Sequence, residues 1–181
     1  MKEFRGSIIK RPCIETFTGK EFNLMNPTLE SIDIRDIAHG LSNICRYTGQ
    51  TRYHYSVAQH SILVSGFAHT MNAFAALLHD AAEAYTSDIP TPLKDLVPGF
   101  YDIEERIQSL VYAKFDVKFI DFSELKILDC QIMTTEVKEL MPNKIWGEFP
   151  YNAMPVDILP LTPKKVEGMF LRTFYRLAAG I

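Results

Sequence analysis

Hydrophobic and polar positions follow a helical period along most of this 181-residue chain. Ile34, Ile37, Ala38, Leu41, Ile44 and Cys45 recur at i, i+3, i+4 and i+7, and Ser31 or Asp33 can cap the start. A second helix is expected from near Ser56 to near Phe67, with Val57, Val64 and Phe67 on one side. The stretch Asn72 to Tyr85, NAFAALLHDAAEAY, is rich in strong helix formers and predicts a third. Two prolines in Asp88-Ile89-Pro90-Thr91-Pro92 forbid its continuation and mark a rigid loop. The pattern resumes from Asp102 with Ile103, Ile107, Leu110 and Val111. Leu125, Leu128, Ile132, Met133, Val137 and Leu140 form the longest stripe, predicting a helix from about Ser123 to Met141. Thr162-Pro163 reads as an N-cap with proline at the first helical position, opening a last helix with Val166, Met169, Phe170, Phe174 and Leu177 inward.

The first 30 residues lack this period. Thr16-Phe17-Thr18-Gly19-Lys20-Glu21-Phe22 reads as two extended runs meeting at a glycine turn, a small hairpin. Residues 142–160 are rich in proline and aromatics, show little periodicity, and predict an ordered loop carrying the only tryptophan, Trp146. No internal repeat or low-complexity tract divides the chain. The expectation is an all-α domain over residues 1–181: a β element in 1–30, a helical core in 31–141, and a loop with a C-terminal helix in 142–181.

Composition then narrows the classes of function. With 47% hydrophobic and 23% charged residues the chain is globular, which excludes a largely disordered protein. A formal net charge of −3 argues against gripping a nucleic-acid backbone as its main work, and leaves room for a small anionic ligand held by a few local cations. Cys13, Cys45 and Cys130 have no C-x-x-C spacing, so neither a zinc finger nor a disulfide framework is expected and a reducing cytoplasm is. The N-terminus has no apolar core of signal-peptide length, and no run approaches the ~18 apolar residues of a membrane span. No membrane partner is expected.

Candidate chemistry lies where charged residues interrupt apolar stripes. His79-Asp80 follows Leu77 and Leu78 in the alanine-rich helix, and a buried aspartate there is expensive without a partner. The plain alternative is a core hydrogen bond for His79 and solvent for Asp80. Asp129 stands among Leu125, Leu128, Ile132 and Met133, either at the stripe's edge or buried with a partner. His60, in SVAQHS, falls among the apolar residues of the second helix. Together they supply two imidazoles and two carboxylates from three helices. Such a set suits a divalent cation with open positions for water, and is too oxygen-rich for a closed structural zinc site.

The order His60, His79-Asp80, Asp129 resembles the signature of the HD-domain metal-dependent phosphohydrolases. The segment HDAAEAYTSDIPTPLK, residues 79–94, is more specific. It is similar to the subgroup containing bacterial deoxynucleotide 5′-nucleotidases and phage dATP triphosphohydrolases, whose motif runs HD-x-x-E, then Gly/Ser-Asp-Leu/Ile-Pro, then Pro-x-Lys. The likeness extends upstream through DIAHGLSNICRYTGQTRYHYSVAQHS, residues 36–61, and downstream to Asp129. TFTGKEF before Asn26-Pro27 resembles a widespread bacterial and phage branch, while beyond about residue 141 the likeness is weak.

The resemblance implies a compact helical HD-domain bundle and one divalent ion (Co, Mn, Zn, Fe, Ni or Mg) on His60, His79, Asp80 and Asp129. It implies catalytic roles for Glu83, beside the attacking water, and Asp88, which activates the water or protonates the leaving oxygen. Arg46 and Lys94 match the phosphate-holding cations. Tyr47 stands where the bacterial nucleotidases carry a tryptophan that helps exclude a 2′-hydroxyl. Arg52, His54 and Tyr55 are further pocket candidates. His39 reads as packing or support for the site, and His69 as an exposed helix-end residue.

The implied activity is hydrolysis of the phosphate ester of deoxynucleotides, above all deoxyadenosine nucleotides: dATP to deoxyadenosine plus triphosphate, with dADP and dAMP alongside. The alternatives are a 5′-nucleotidase acting on deoxynucleoside monophosphates in general, and a non-catalytic nucleotide-binding module. All the ligand and proton-handling positions are filled, which counts against the module. The resemblance further implies a homo-oligomer, with no nucleic-acid partner, in a bacterial cytoplasm or in the host cytoplasm of a phage.

Overall fold

A computed structural model of the chain describes residues 12–142 and 150–181. The described chain is mostly helical with one small hairpin, the expected class. Strands β1 (Cys13–Glu15) and β2 (Glu21–Asn23) pair antiparallel, with Ile14 opposite Phe22. The strands lie further apart than the sequence reading places them, with the turn running from Thr16 to Lys20 and including the expected Gly19. Thr16 N–H donates to Lys20 O (2.9 Å), Gly19 takes the left-handed conformation at φ 78°, and Asp36 accepts from Thr18 N (2.7 Å) and Oγ1 (2.9 Å). Phe22 is thereby buried and stacks on Tyr85 with ring centroids 3.9 Å apart.

Helix α1 (Ile34–Asn43) starts at Asp33, whose carboxylate accepts from Arg35 N. Its Ile37, Ala38 and Leu41 are buried, and it packs on α8 (Pro163–Ala178), α4 (Glu83–Thr86) and α2 (Val57–Phe67). A Cβ on Gly40 would lie 3.2 Å from both the Cβ and the carbonyl oxygen of Ala84, so the missing side chain sets how closely α1 approaches α4. Helix α2 is central, touching α1, α3 (Ala73–Leu78), α7 (Phe122–Leu140) and α8. It buries polar residues with the apolar ones: Gln59, His60, Ser61 and Ser65 as well as Val57, Ala58 and Val64. Phe67, expected on its apolar side, is 38% exposed at its C-terminal end.

The largest departure from the sequence reading lies within residues 72–85. Instead of one helix, α3 ends at Leu78, a turn spans residues 79–82, and α4 follows. In the turn the N–H groups of Ala81, Glu83 and Tyr85 bond three residues back, to Leu78, Asp80 and Ala82. Gln108 of α6 (Phe100–Lys114) clamps it: its Nε2 donates to Leu78 O (2.7 Å), and its Oε1 accepts from Ala82 N (3.0 Å). Local propensity favours a continuous helix, and this tertiary contact overrides it.

Short helix α5 (Thr91–Lys94) lies in the Pro-rich segment. In α7 the buried face includes Leu125, Leu128 and Ile132, which close against Val64 of α2 and Ala75 and Ala76 of α3. Thr162 caps α8 with Pro163 in its first turn, and Val166, Phe170 and Phe174 enter the main core. Residues 150–161 are non-helical as expected, held to α7 by Met154 N to Thr135 Oγ1 and Ile158 N to Glu139 Oε2, both 2.8 Å. Trp146 lies outside the described residues. No helix among the described residues is long and apolar enough to cross a membrane.

Candidate metal centre

Helix α2 supplies His60, the turn after α3 supplies His79 and Asp80, and α7 supplies Asp129. His60 Nε2 lies 3.3 Å from His79 Nε2, 3.2 Å from Asp129 Oδ1 and 3.6 Å from Asp80 Oδ2, and His79 Nε2 is 3.2 Å from that same Asp80 oxygen. Among the described residues, His60, His79 and Asp129 form a cluster able to hold a metal ion, each giving one ligand atom, all within 4.8 Å of one another. Each apolar-stripe intruder of the sequence therefore meets partners from other elements.

The other ring nitrogens decide what these atoms can do. His79 Nδ1 is 2.7 Å from Ala76 O, and a carbonyl only accepts, so that nitrogen carries the hydrogen. His60 Nδ1 is 2.6 Å from Glu136 Oε1, again an acceptor. In the neutral rings both Nε2 atoms consequently present lone pairs to each other and to two carboxylates. That arrangement is repulsive unless a cation or protons occupy the space between, and it fits a divalent ion. Without one, the site draws protons. Burial and Arg46 push the His60 imidazole down, but Glu136 and Asp129 more than reverse this and raise it to about 10. Burial pushes the Asp80 carboxyl up, yet His79, His60 and Arg46 hold it well below the ordinary range.

Glu136 was not singled out by the sequence reading, and it is fully buried on α7. Its Oε1 accepts from His60 Nδ1 and from the Tyr55 hydroxyl (2.8 Å). Its Oε2 accepts from Arg46 Nε (3.1 Å) and the Tyr47 hydroxyl (2.7 Å). Burial raises its carboxyl, but Arg46 and His60 hold it far below the usual range. The available signal was position: Glu136 follows Asp129 by two helical turns, on the same stripe.

Arg46 and Tyr47 begin a tight 3-10 turn, Arg46–Gly49. Tyr47 (φ 56°) and Thr48 (φ 51°) are both left-handed without being glycine, and such backbone costs about 1–3 kcal/mol per residue. The Arg46 guanidinium also lies 3.6 Å from Asp80 Oδ2, so this cation, its side chain 12% exposed, is partly buried and paired. Tyr55, a pocket candidate, is instead part of the Glu136 network. Arg52 is exposed, and its backbone N–H bonds to Leu140 O; none of the described contacts joins its side chain to the centre.

Glu83 opens α4 one turn after Asp80. It is buried, with Oε1 3.5 Å from Lys94 Nζ and Oε2 without a hydrogen-bond partner. Burial first, then Asp80 and Asp88, raise its carboxyl to about 9 against the opposing Lys94 and Arg46. Ser87, at φ 70° and ψ 157°, occupies a region used almost only by glycine and turns the chain into Asp88. Burial raises Asp88 too, with Arg46 opposing and Asp80 assisting. Lys94 is held by both oxygens of Glu104 (2.7 and 2.9 Å), a partner absent from the sequence reading. His79, Asp80, Glu83, Lys94, Tyr101, Glu104, Glu105 and Gln108 line a cleft of ≈ 280 Å³ beside the centre. His39 lies elsewhere, stacked on Phe17 and paired with Glu167, and His69 is exposed just past α2.

No family model matches the chain. It is 38% identical over 170 residues to the uncharacterized protein YfdR of Escherichia coli, a match spanning 91% of this chain and 95% of that one. It is likewise 38% identical over 117 residues to an uncharacterized protein of Rhodobacter capsulatus, across 59% of this chain and 60% of that one.

Proposed function

The chain belongs to the family of YfdR of Escherichia coli, and on that footing we propose that it is a phosphohydrolase of the HD-domain type acting on deoxynucleotides. His60, His79, Asp80 and Asp129 hold one divalent ion. The observation that carries this reading is the convergence of two imidazole lone pairs, their Nε2 atoms 3.3 Å apart, on two carboxylates. A bound divalent ion supplies Lewis acidity toward a phosphoryl oxygen and acidifies water. Glu83 handles the water proton through Oε2, the atom left without a partner. Asp88 delivers a proton to the leaving 5′-oxygen. Arg46 and Lys94 fix phosphate oxygens, which requires each to share its charge with a carboxylate it already contacts.

The resemblance points to dATP among the substrates. A second reading, cleavage of deoxynucleoside monophosphates, is favoured by the cleft itself. Asp80, Glu83, Glu104 and Glu105 line it against Lys94, the one lysine or arginine among its described lining residues, a setting better suited to one phosphate than to a triphosphate tail. The test is to incubate protein loaded with Mn2+ or Co2+ with dAMP, dATP, ATP and the other dNTPs, separating nucleoside, phosphate and triphosphate. Deoxynucleoside release with phosphate or triphosphate identifies the bond and substrate. Turnover of none of these refutes hydrolysis and favours a binding module.

A further inference from the structure

The two oxygens of Glu136 serve two separate parts of the site. Oε1 receives His60 and Tyr55, and Oε2 receives Arg46 and Tyr47. We propose that Glu136 is a positioning residue joining the metal centre to the Arg46–Gly49 turn, so that affinity for the ion and affinity for an anion depend on one side chain. The proposal rests on reading His60 as a ligand and Arg46 as a phosphate cation.

Burial alone does not account for a carboxylate here. An ionised group with zero exposure is costly in an apolar setting, and only its four donors, one of them a guanidinium, offset the loss of water. On the His60 side the bond fixes the ring's tautomer and rotation, leaving Nε2 directed at His79 and Asp129. On the Arg46 side it restrains a turn with two non-glycine residues in left-handed conformation, which persists only where the surroundings over-determine it. The Tyr47 hydroxyl and Arg46 Nε supply that restraint from one oxygen. Asp129 and Glu136 share α7, so one helix both contributes a ligand and orients a second ligand from α2.

An isosteric amide separates this role from packing. In Glu136→Gln one end of the side chain becomes an NH2 group, which cannot accept. That end meets either His60 and Tyr55 or Arg46 and Tyr47; the tyrosine hydroxyl can turn and accept from it, but the imidazole or guanidinium N–H is left facing a donor. The experiment titrates metal-free protein with Co2+, followed by visible absorption and calorimetry, then titrates Co2+-saturated protein with inorganic phosphate. Glu136→Gln is expected to weaken Co2+ binding about 10- to 100-fold and to alter the cobalt spectrum, with phosphate binding also weakened. Phe170→Leu, a core truncation on α8, which carries no ligand, lowers thermal stability without moving either affinity. Should Glu136→Gln fail to fold, Tyr47→Phe keeps the carboxylate and removes one donor. It is expected to weaken Co2+ about threefold although none of Tyr47's described contacts is with a ligand, the loss of one modest hydrogen bond felt through Glu136. Wild-type Co2+ affinity in Glu136→Gln, or in Tyr47→Phe if that variant is the one measured, overturns the proposal. A wild-type chain that takes up no Co2+ overturns the metal reading, and this proposal with it.

Discussion

Glu83 is placed where it harms the fold that carries it. Its carboxyl is buried, one oxygen has no partner, and Asp80 and Asp88 repel its charge. Without an ion, the folded protein therefore keeps it protonated up to a pH of about 9, against 4.5 for the free group. The sign follows directly. Below pH 4.5 both folded and unfolded chains hold the proton and nothing is lost. Between pH 4.5 and 9 the unfolded chain releases it while the folded chain does not, so folding stability falls as pH rises. The full span sets a ceiling of about 6 kcal/mol. Sharing of the proton between Glu83 and Asp88, whose carboxyl is also raised, reduces the expected figure to roughly 3 kcal/mol. Glu83→Gln removes the ionisable group and keeps the volume, so the variant should match wild type near pH 5 and exceed it by about that amount near pH 9. The assay is urea unfolding of metal-free protein at pH 5, 7 and 9, with the same series repeated in excess Mn2+. The ion should narrow the gap, because a positive charge beside Asp80 offsets the repulsion that raises Glu83. A gap between the two proteins that does not grow with pH refutes the placement of Glu83 in a buried acidic cluster.

Three further outcomes follow from particular contacts. Ser87→Gly relieves a conformation costing about 1–3 kcal/mol and gives back about 0.5–1 kcal/mol in chain entropy; a net gain near 1 kcal/mol in urea unfolding is expected, and a loss counts against the strain. Gly40→Ala places a methyl group 3.2 Å from Ala84, costing about 1–3 kcal/mol of crowding against about 1 kcal/mol of helix propensity gained; a net loss of up to about 2 kcal/mol is expected in the same measurement, with a net gain indicating that α1 and α4 separate freely. His79→Ala and Asp80→Ala should each abolish metal content, read by elemental analysis after dialysis, together with hydrolysis; a full metal complement in either variant removes that residue from the ligand set.

The sequence exposed the centre where a charged residue broke an apolar pattern. Asp129 and His60 were visible because leucine or valine would suit their positions, and both prove to face partners from other helices. The helix boundaries were legible for the same reason, through caps such as Asp33 and Thr162 and through prolines. What stayed hidden depends on residues distant in the chain. The break at residues 79–82 is imposed by Gln108, against a local sequence that favours helix throughout. Glu104, one turn before Gln108, had no local mark distinguishing it from a solvated glutamate on α6, yet it binds Lys94. Glu136 carried a weak mark, its two-turn spacing from Asp129, but its four donors lie in three other segments of the chain, which no local pattern displays.

Those four donors have a bearing on the order of assembly during synthesis. They lie 76 to 90 residues ahead of Glu136, so all of them leave the ribosome well before their acceptor does. Until α7 follows, Arg46 and His60 can reach Asp80, but Arg46 Nε, His60 Nδ1 and the Tyr47 and Tyr55 hydroxyls lack Glu136, the acceptor that lets them enter the interior together. The N-terminal two thirds of the chain therefore cannot close its polar interior alone. The candidate centre is a late product of folding, and the proposed ion uptake belongs to a chain that has already released α7.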